Sequence, residues 1–210
     1  MSLHNWAWLG QYGSDVGTRL EELAAAHGWD VNAIAAVIKI ESGGVASARN
    51  PTSGATGLIQ FMPATAKQLG TTVDALRGMS ALDQLDFVER YLEQALGGSI
   101  PNDPGDYYVA VFMPAYIGRA GSDVIAQKGE KVYDQNAGLD FNKNGELSVG
   151  DVRAIFHRTY DSAAARGTWV PGSAQVPQGM SHLSPGQGLV WTAGVLLVVG
   201  WIFARTLRNR

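Results

Sequence analysis

Apolar residues recur at helical spacing through most of the first 160 positions. From Asp15, Val16, Leu20, Leu23 and Ala24 trace one face and Gly28 ends it, so a first helix is expected there. Asp30 stands where a cap belongs, ahead of a second helix with apolar positions Ile34, Val37 and Ile38. Residues 43–62 are rich in Gly, Ser, Asn and Pro and read as a structured loop, and Pro63 suits the first turn of a short helix ending at Gly70. Ser80 with Asp83 three residues later has the form of a capping box; Leu85, Val88, Tyr91, Leu92 and Leu96 follow on one face until Gly97-Gly98. Residues 107–118 are apolar nearly all round, which predicts one buried helix kinked near Pro114. A last helix carries Val152, Ile155, Phe156 and Tyr160. No strand series is expected. The fold class predicted is all-α.

The pattern then changes. From Gly167 to Gly188 the composition shifts to Pro, Gly, Ser and Gln, as in a linker. Residues 184–204 carry no charge, and a bilayer core takes about 20 mostly apolar residues. Trp191 and Trp201 stand near the two ends, where interfacial aromatics belong. The expected organisation is a body over 1–166, a linker over 167–188, a transmembrane helix over 189–204 and a basic tail over 205–210.

Composition narrows the chemistry. The chain is 46% hydrophobic, which excludes wholesale disorder, and has no cysteine, which excludes disulfides, thiolate metal sites and thiol nucleophiles. The net charge of −3 gives no sign of nucleic-acid binding. That charge is unevenly placed: from Leu183 onward there is no acid, and Arg205, Arg208 and Arg210 close the chain.

Glu41 continues the buried stripe of its helix, three residues after Ile38, and lies at the helix's C-terminal end. Burial and the negative end of the helix dipole both disfavour its carboxylate, as a general acid requires. An exposed glutamate at a frayed end is the plainer alternative. The residues around it are more specific. Ile40-Glu41-Ser42-Gly43-Gly44 leads to Gly54-Ala55-Thr56-Gly57-Leu58-Ile59-Gln60, then to Pro63-Ala64-Thr65-Ala66. This order of elements resembles the soluble-type lytic transglycosylases, which have a goose-lysozyme-like fold. The resemblance covers roughly residues 15–120. A third motif of that family, Ala-Tyr-Asn-x-Gly, is nearest to Ala115-Tyr116-Ile117-Gly118, with isoleucine in place of asparagine.

The resemblance implies a peptidoglycan lytic transglycosylase, lysozyme-like in fold. Glu41 would protonate the β-1,4 linkage oxygen between N-acetylmuramic acid and N-acetylglucosamine. Its carboxylate would then help the sugar's own 6-hydroxyl close onto C1, giving a 1,6-anhydro product. Substrate-binding roles fall to Ser42, Gly57, Gln60 and Tyr116, the last as a hydrogen-bond partner of Glu41. Each also has a purely structural alternative: helix capping for Ser42, a tight turn for Gly57 and Gln60, core packing for Tyr116. A lysozyme-type hydrolase on the same scaffold and a non-catalytic murein-binding or calcium-responsive module are the competing functions. No cofactor is needed for the chemistry.

A second motif stands apart from the first. Residues 140–151 follow the twelve-residue calcium-loop template: Asp140, Asn142, Asn144, Ser148 and Asp151 at positions 1, 3, 5, 9 and 12. Gly145 stands at position 6 and Leu147 at position 8, while Glu146 would offer its backbone carbonyl. A structural Ca2+ is expected, with weakened affinity because position 12 is Asp. An Asx-rich turn before a capped helix is the alternative.

Placement follows from the tail. The arginines put the C-terminus on the cytoplasmic side and the body outside, where peptidoglycan is. The N-terminus has neither a basic segment nor a long apolar one before Asp15, so no secretory leader is expected. Together these favour a membrane-containing bacteriophage, the enzyme sitting in the virion inner membrane, over a bacterial inner membrane with a periplasmic domain. The expected partners are glycan strands, a lipid bilayer and virion structural proteins.

Overall fold

The computed structural model describes residues 2–168. The linker from Trp169 on, the apolar run and the arginine tail lie outside the described residues, and among those described no helix is long and apolar enough to cross a membrane.

The architecture is mostly helical. In order it comprises α1 (Ser14–His27), α2 (Val31–Ser42), α3 (Pro63–Gln68), α4 (Val73–Gly78), α5 (Ala81–Leu96), α6 (Asp106–Phe112), β1 (Val124–Gln127), α7 (Lys131–Asn136), β2 (Glu146–Ser148) and α8 (Val149–Ala164). Helix α2 is the hub. Every residue from Val31 to Ile38 is buried, as an apolar sequence with no polar stripe demands, and α1, α6 and α8 all pack on it.

Local chemistry sets its ends. The Asp30 carboxylate accepts the N–H groups of Asn32 (2.9 Å) and Ala33 (3.3 Å). Its second oxygen accepts from the Tyr160 hydroxyl at 2.8 Å, and its own N–H donates to the Tyr107 hydroxyl at 3.1 Å. One cap thus fastens the start of α2 to α6 and α8. At the far end Gly43 takes the left-handed conformation (φ +66°) and stops the helix directly after Ser42.

The Ser80–Asp83 capping box forms as expected and Gly97 terminates α5. The stretch 107–118 corrects the prediction of one kinked helix. Helix α6 ends at Phe112, Met113 is extended (φ −154°, ψ +81°), and Pro114–Tyr116 forms a separate 3-10 turn. A proline lacks an N–H and drives the residue before it out of the helical region, so the helix breaks rather than bends. A two-stranded sheet is also present where none was expected: β1 pairs antiparallel with β2.

The N-terminus belongs to the core. Asn32, fully buried, accepts from the N–H of His4 (2.6 Å) and the indole of Trp6 (3.3 Å) and donates to the Ser2 carbonyl (2.9 Å). Leu3, Trp6, Trp8 and Leu9 are buried beside it.

Candidate active site

Glu41 occupies the last turn of α2. The residue as a whole is half-buried, but its Oε1 is sealed from solvent and has no hydrogen-bond partner among the described residues. Burial holds the carboxyl well above the usual carboxylate range. No charged neighbour contributes to that shift. The walls explain why: residues 42–66 contain a single charge, Arg49, and residues 107–118 contain none. Arg49 is itself engaged with Asp74 at 2.7 Å.

Two buried tyrosines feel the Glu41 charge. Tyr91 on α5 and Tyr108 on α6 are both buried, and both hydroxyls are pushed up first by burial and then by the Glu41 charge. Tyr91 donates to the Ala110 carbonyl (2.9 Å), whereas the Tyr108 hydroxyl is buried without a partner among the described residues. Tyr116 is half-buried in the turn after α6 and makes no hydrogen bond to Glu41. The spacing of the third motif led to Tyr116; the break at Met113 separates it from the helix that carries Tyr108.

The loop after Glu41 is braced by polar side chains. Ser42 Oγ donates within reach of the Leu58 (2.8 Å) and Ile38 (3.2 Å) carbonyls and accepts from the Gly44 N–H (3.2 Å). It welds the helix end to the loop. Gln60 adopts a positive φ (+53°), and its amide nitrogen donates to the Gly57 (3.1 Å) and Ala48 (3.3 Å) carbonyls. Gly57 (φ +90°) has a steric reason to be glycine: a Cβ there would come within 2.5 Å of Gln84 Oε1. Gln84, fully buried on α5, is a residue that sequence reasoning missed. Its Oε1 accepts from Leu58 N–H (2.8 Å) and its Nε2 donates to the carbonyls of Ala46 and Leu76 (2.7 Å each). A small crevice, with room for about one water, lies beside this loop between residues 59–62 and Thr65 on one side and Tyr91 and Val111 on the other.

These features describe one desolvated carboxyl, with no second acid in the segments 42–66 and 107–118. Residues 20–86 match the family model of the transglycosylase SLT domain. The match runs from α1 into the start of α5 and includes Glu41, Ser42, Gly57, Gln60 and Gln84; Tyr91, Tyr108 and Tyr116 lie beyond it. It supports a lytic transglycosylase family and, with it, peptidoglycan as the substrate class. The mostly helical architecture is consistent with the SLT domain's lysozyme-like fold. No curated protein matches the chain.

The calcium-type loop lies between α7 and α8. Asp140 is buried, and its carboxylate accepts from the Tyr133 hydroxyl (2.7 Å) and the N–H groups of Gly145 (2.9 Å) and Asn144 (3.2 Å). The Tyr133 bond above all holds this carboxyl below its ordinary value. Asn142 accepts from Asn144 N–H and Asn144 from Glu146 N–H, while Gly145 takes φ +83°. Ser148 and Asp151 form the capping box of α8. The side-chain donors at the template positions are all oxygens, the donor type a hard divalent cation takes, and the Asp140 and Asp151 carboxylates are engaged in hydrogen bonds within this region. Glu146 lies on β2 with its carboxylate against Gln127 (3.1 Å), leaving its backbone as the contribution to the loop. Among the described residues, this loop included, no group of three or more His, Asp or Glu side chains gathers as metal ligands would.

Proposed function

We propose that the protein cleaves the β-1,4 bond between N-acetylmuramic acid and N-acetylglucosamine in peptidoglycan and releases a 1,6-anhydro end. Glu41 donates its proton to the linkage oxygen. The resulting carboxylate accepts the proton of the 6-hydroxyl as that oxygen closes onto C1, so one group serves as acid and then as base. The observation that carries this reading is the solitary, desolvated Glu41. Ordinary glycosidases flank the bond with two carboxyls, one of which activates water or attacks the sugar. Neither the loop that follows Glu41 (residues 42–66) nor residues 107–118 contain a second one. Mass spectrometry of digested murein tests it: anhydro ends are lighter than hydrolytic ends by one water, and hydrolytic ends would make the protein a muramidase instead. A murein-binding module without activity would release neither.

Residues 140–151 are proposed to hold a structural Ca2+ through Asp140, Asn142, Asn144, Ser148, Asp151 and the Glu146 carbonyl. The ion would cross-link the loop to the start of α8, and no part of the bond cleavage involves it.

The apolar, uncharged run before Arg205, Arg208 and Arg210 supports a membrane-anchored enzyme with its body on the murein side. A small catalytic body followed by a Pro- and Gly-rich segment suits local opening of the wall by a membrane-containing phage. Protease treatment of intact purified particles and of spheroplasts tests both the carrier and the orientation: release of an active body by cleavage within 167–188 supports exposure, and protection until detergent is added contradicts it.

A further inference from the structure

Gly44, three residues beyond Glu41, is held from every side by the N-terminal segment. The Tyr12 hydroxyl donates to the Gly44 carbonyl at 2.7 Å and accepts from the Ala46 N–H at 3.2 Å. Gln11 Nε2 donates to the same carbonyl at 3.1 Å. Trp8 closes the remaining face: a Cβ on Gly44 would lie 2.6 Å from Trp8 Cβ and 2.7 Å from its ring, and Gly44 also holds φ +85°. The Trp8 and Tyr12 rings meet edge to face, 6.3 Å between centroids. On the inner side, the Gly44 N–H donates to Ser42 Oγ. The backbone from Ser42 to Ala46 is therefore fixed by hydrogen bonds to both peptide groups of Gly44 and by an indole packed against its Cα.

The same segment is tied at its other end. Asn5 N–H donates to the Gly167 carbonyl at 2.7 Å, and His4 bridges Thr168 in antiparallel fashion. Residues 4–12 thus run as a strap from the end of the described chain to the turn behind the acid. None of it falls within the matched residues 20–86.

We propose that Tyr12, with Trp8 and Gln11 beside it, is a positioning residue for Glu41: the N-terminal strap sets the turn that follows the acid and keeps water from its buried oxygen. This rests on the reading of Glu41 as the general acid. Beyond the Ser42 bonds that join the helix end to the loop, the helix's own ladder ends at Gly43, and the strap supplies the remaining hold on the turn that follows the acid. The titratable groups that feel its charge are Tyr91 on α5 and Tyr108 on α6, both neutral at ordinary pH.

The test uses the full-length protein with Tyr12→Phe, which keeps the ring against Trp8 and removes both hydrogen bonds. Turnover on purified murein should fall about tenfold with KM changed by less than about twofold, because a misdirected acid loses rate rather than binding. The high-pH limb of the rate profile should move to lower pH as water reaches Oε1, and carbon NMR of the labelled Glu41 carboxyl should titrate closer to its ordinary range. Gln11→Ala, at an exposed position, removes one of two donors and should show the same changes in smaller measure; it also serves if the phenylalanine variant folds poorly. Unchanged turnover and an unchanged Glu41 titration, with only a lower melting temperature, would reduce the strap to packing and overturn the proposal. Glu41→Gln, assayed alongside, separates the two ideas: activity retained there overturns the acid assignment itself, whereas its loss beside a fully active Tyr12→Phe overturns the strap alone.

Discussion

Replacing Gln84 by leucine keeps the side-chain volume nearly constant and deletes three buried hydrogen bonds at once. The Leu58 N–H and the Ala46 and Leu76 carbonyls, now bonded at 2.7–2.8 Å, would be left in an apolar pocket. Each orphaned group costs about 1–3 kcal/mol. Partial relaxation of the loop makes the three less than additive, so a loss of about 3–5 kcal/mol is expected. That is a large share of the roughly 5–15 kcal/mol available to a domain. For a body of this size it corresponds to a fall in Tm of about 10–15 °C. Urea titration followed by tryptophan fluorescence measures it directly: the midpoint should drop with little change in slope. Gln84→Glu sharpens the test. Its carboxyl would face two carbonyls, which favours the protonated form, so the folded-state pKa is raised. Stability should be greatest in acid, below the ordinary glutamate range near pH 4, and decline as the pH rises. A leucine variant that loses less than about 1 kcal/mol would refute the reasoning, because buried donors and acceptors cannot be orphaned so cheaply.

The remaining predictions concern the acid and the loop. Burial raises the folded-state pKa of Glu41 above its ordinary value, so its stabilising contribution is complete below the ordinary carboxylate range and is lost as the pH rises through the folded value. Glu41→Gln should therefore be more stable than wild type near neutrality, with a Tm difference that grows from about pH 4.5 upward; a difference independent of pH would contradict the burial of this carboxyl. Calcium at a hundredfold excess over Kd should add about 2.7 kcal/mol to the stability of the wild type and nothing to Asp140→Ala. Calorimetry with calcium and with chelator measures both, and a wild-type melting temperature indifferent to either would leave the loop a turn.

What could be seen in the sequence was what short-range chemistry decides. Asp30, the Ser80–Asp83 box and the glycines at 28, 43 and 97 each act within a few residues, so helices α1, α2 and α5 were legible from end to end. Glu41 was legible because its helix and its burial are both written in one apolar stripe. Pro114 was seen, but its consequence was underestimated: an all-apolar run looks like one helix whether or not a proline divides it. The short helices α4 and α7 and strand β1 carry too little periodicity to stand out. The neighbours of Glu41 were hidden for a different reason. Tyr91 and Tyr108 reach it from separate helices, and Gln84 serves a loop 26 residues away. No local pattern distinguishes such a residue from any other on a helix. Trp8 and Tyr12 act on a turn more than 30 residues away, and no short-range pattern marks such contacts. Ser42 and Gln60 were recognisable as motif residues, yet only coordinates show their hydrogen bonds turned toward the loop backbone.

The central claim is that one buried carboxyl, Glu41, cleaves the glycan without water. Digestion of purified murein by the wild type and by Glu41→Gln, with the soluble fragments weighed by mass spectrometry, examines it in a single experiment. The account predicts 1,6-anhydro-muramyl ends from the wild type and no fragments from the variant, which retains the side chain's shape but has no proton to give. Fragments with ordinary reducing ends, or equal release by the variant, would contradict it.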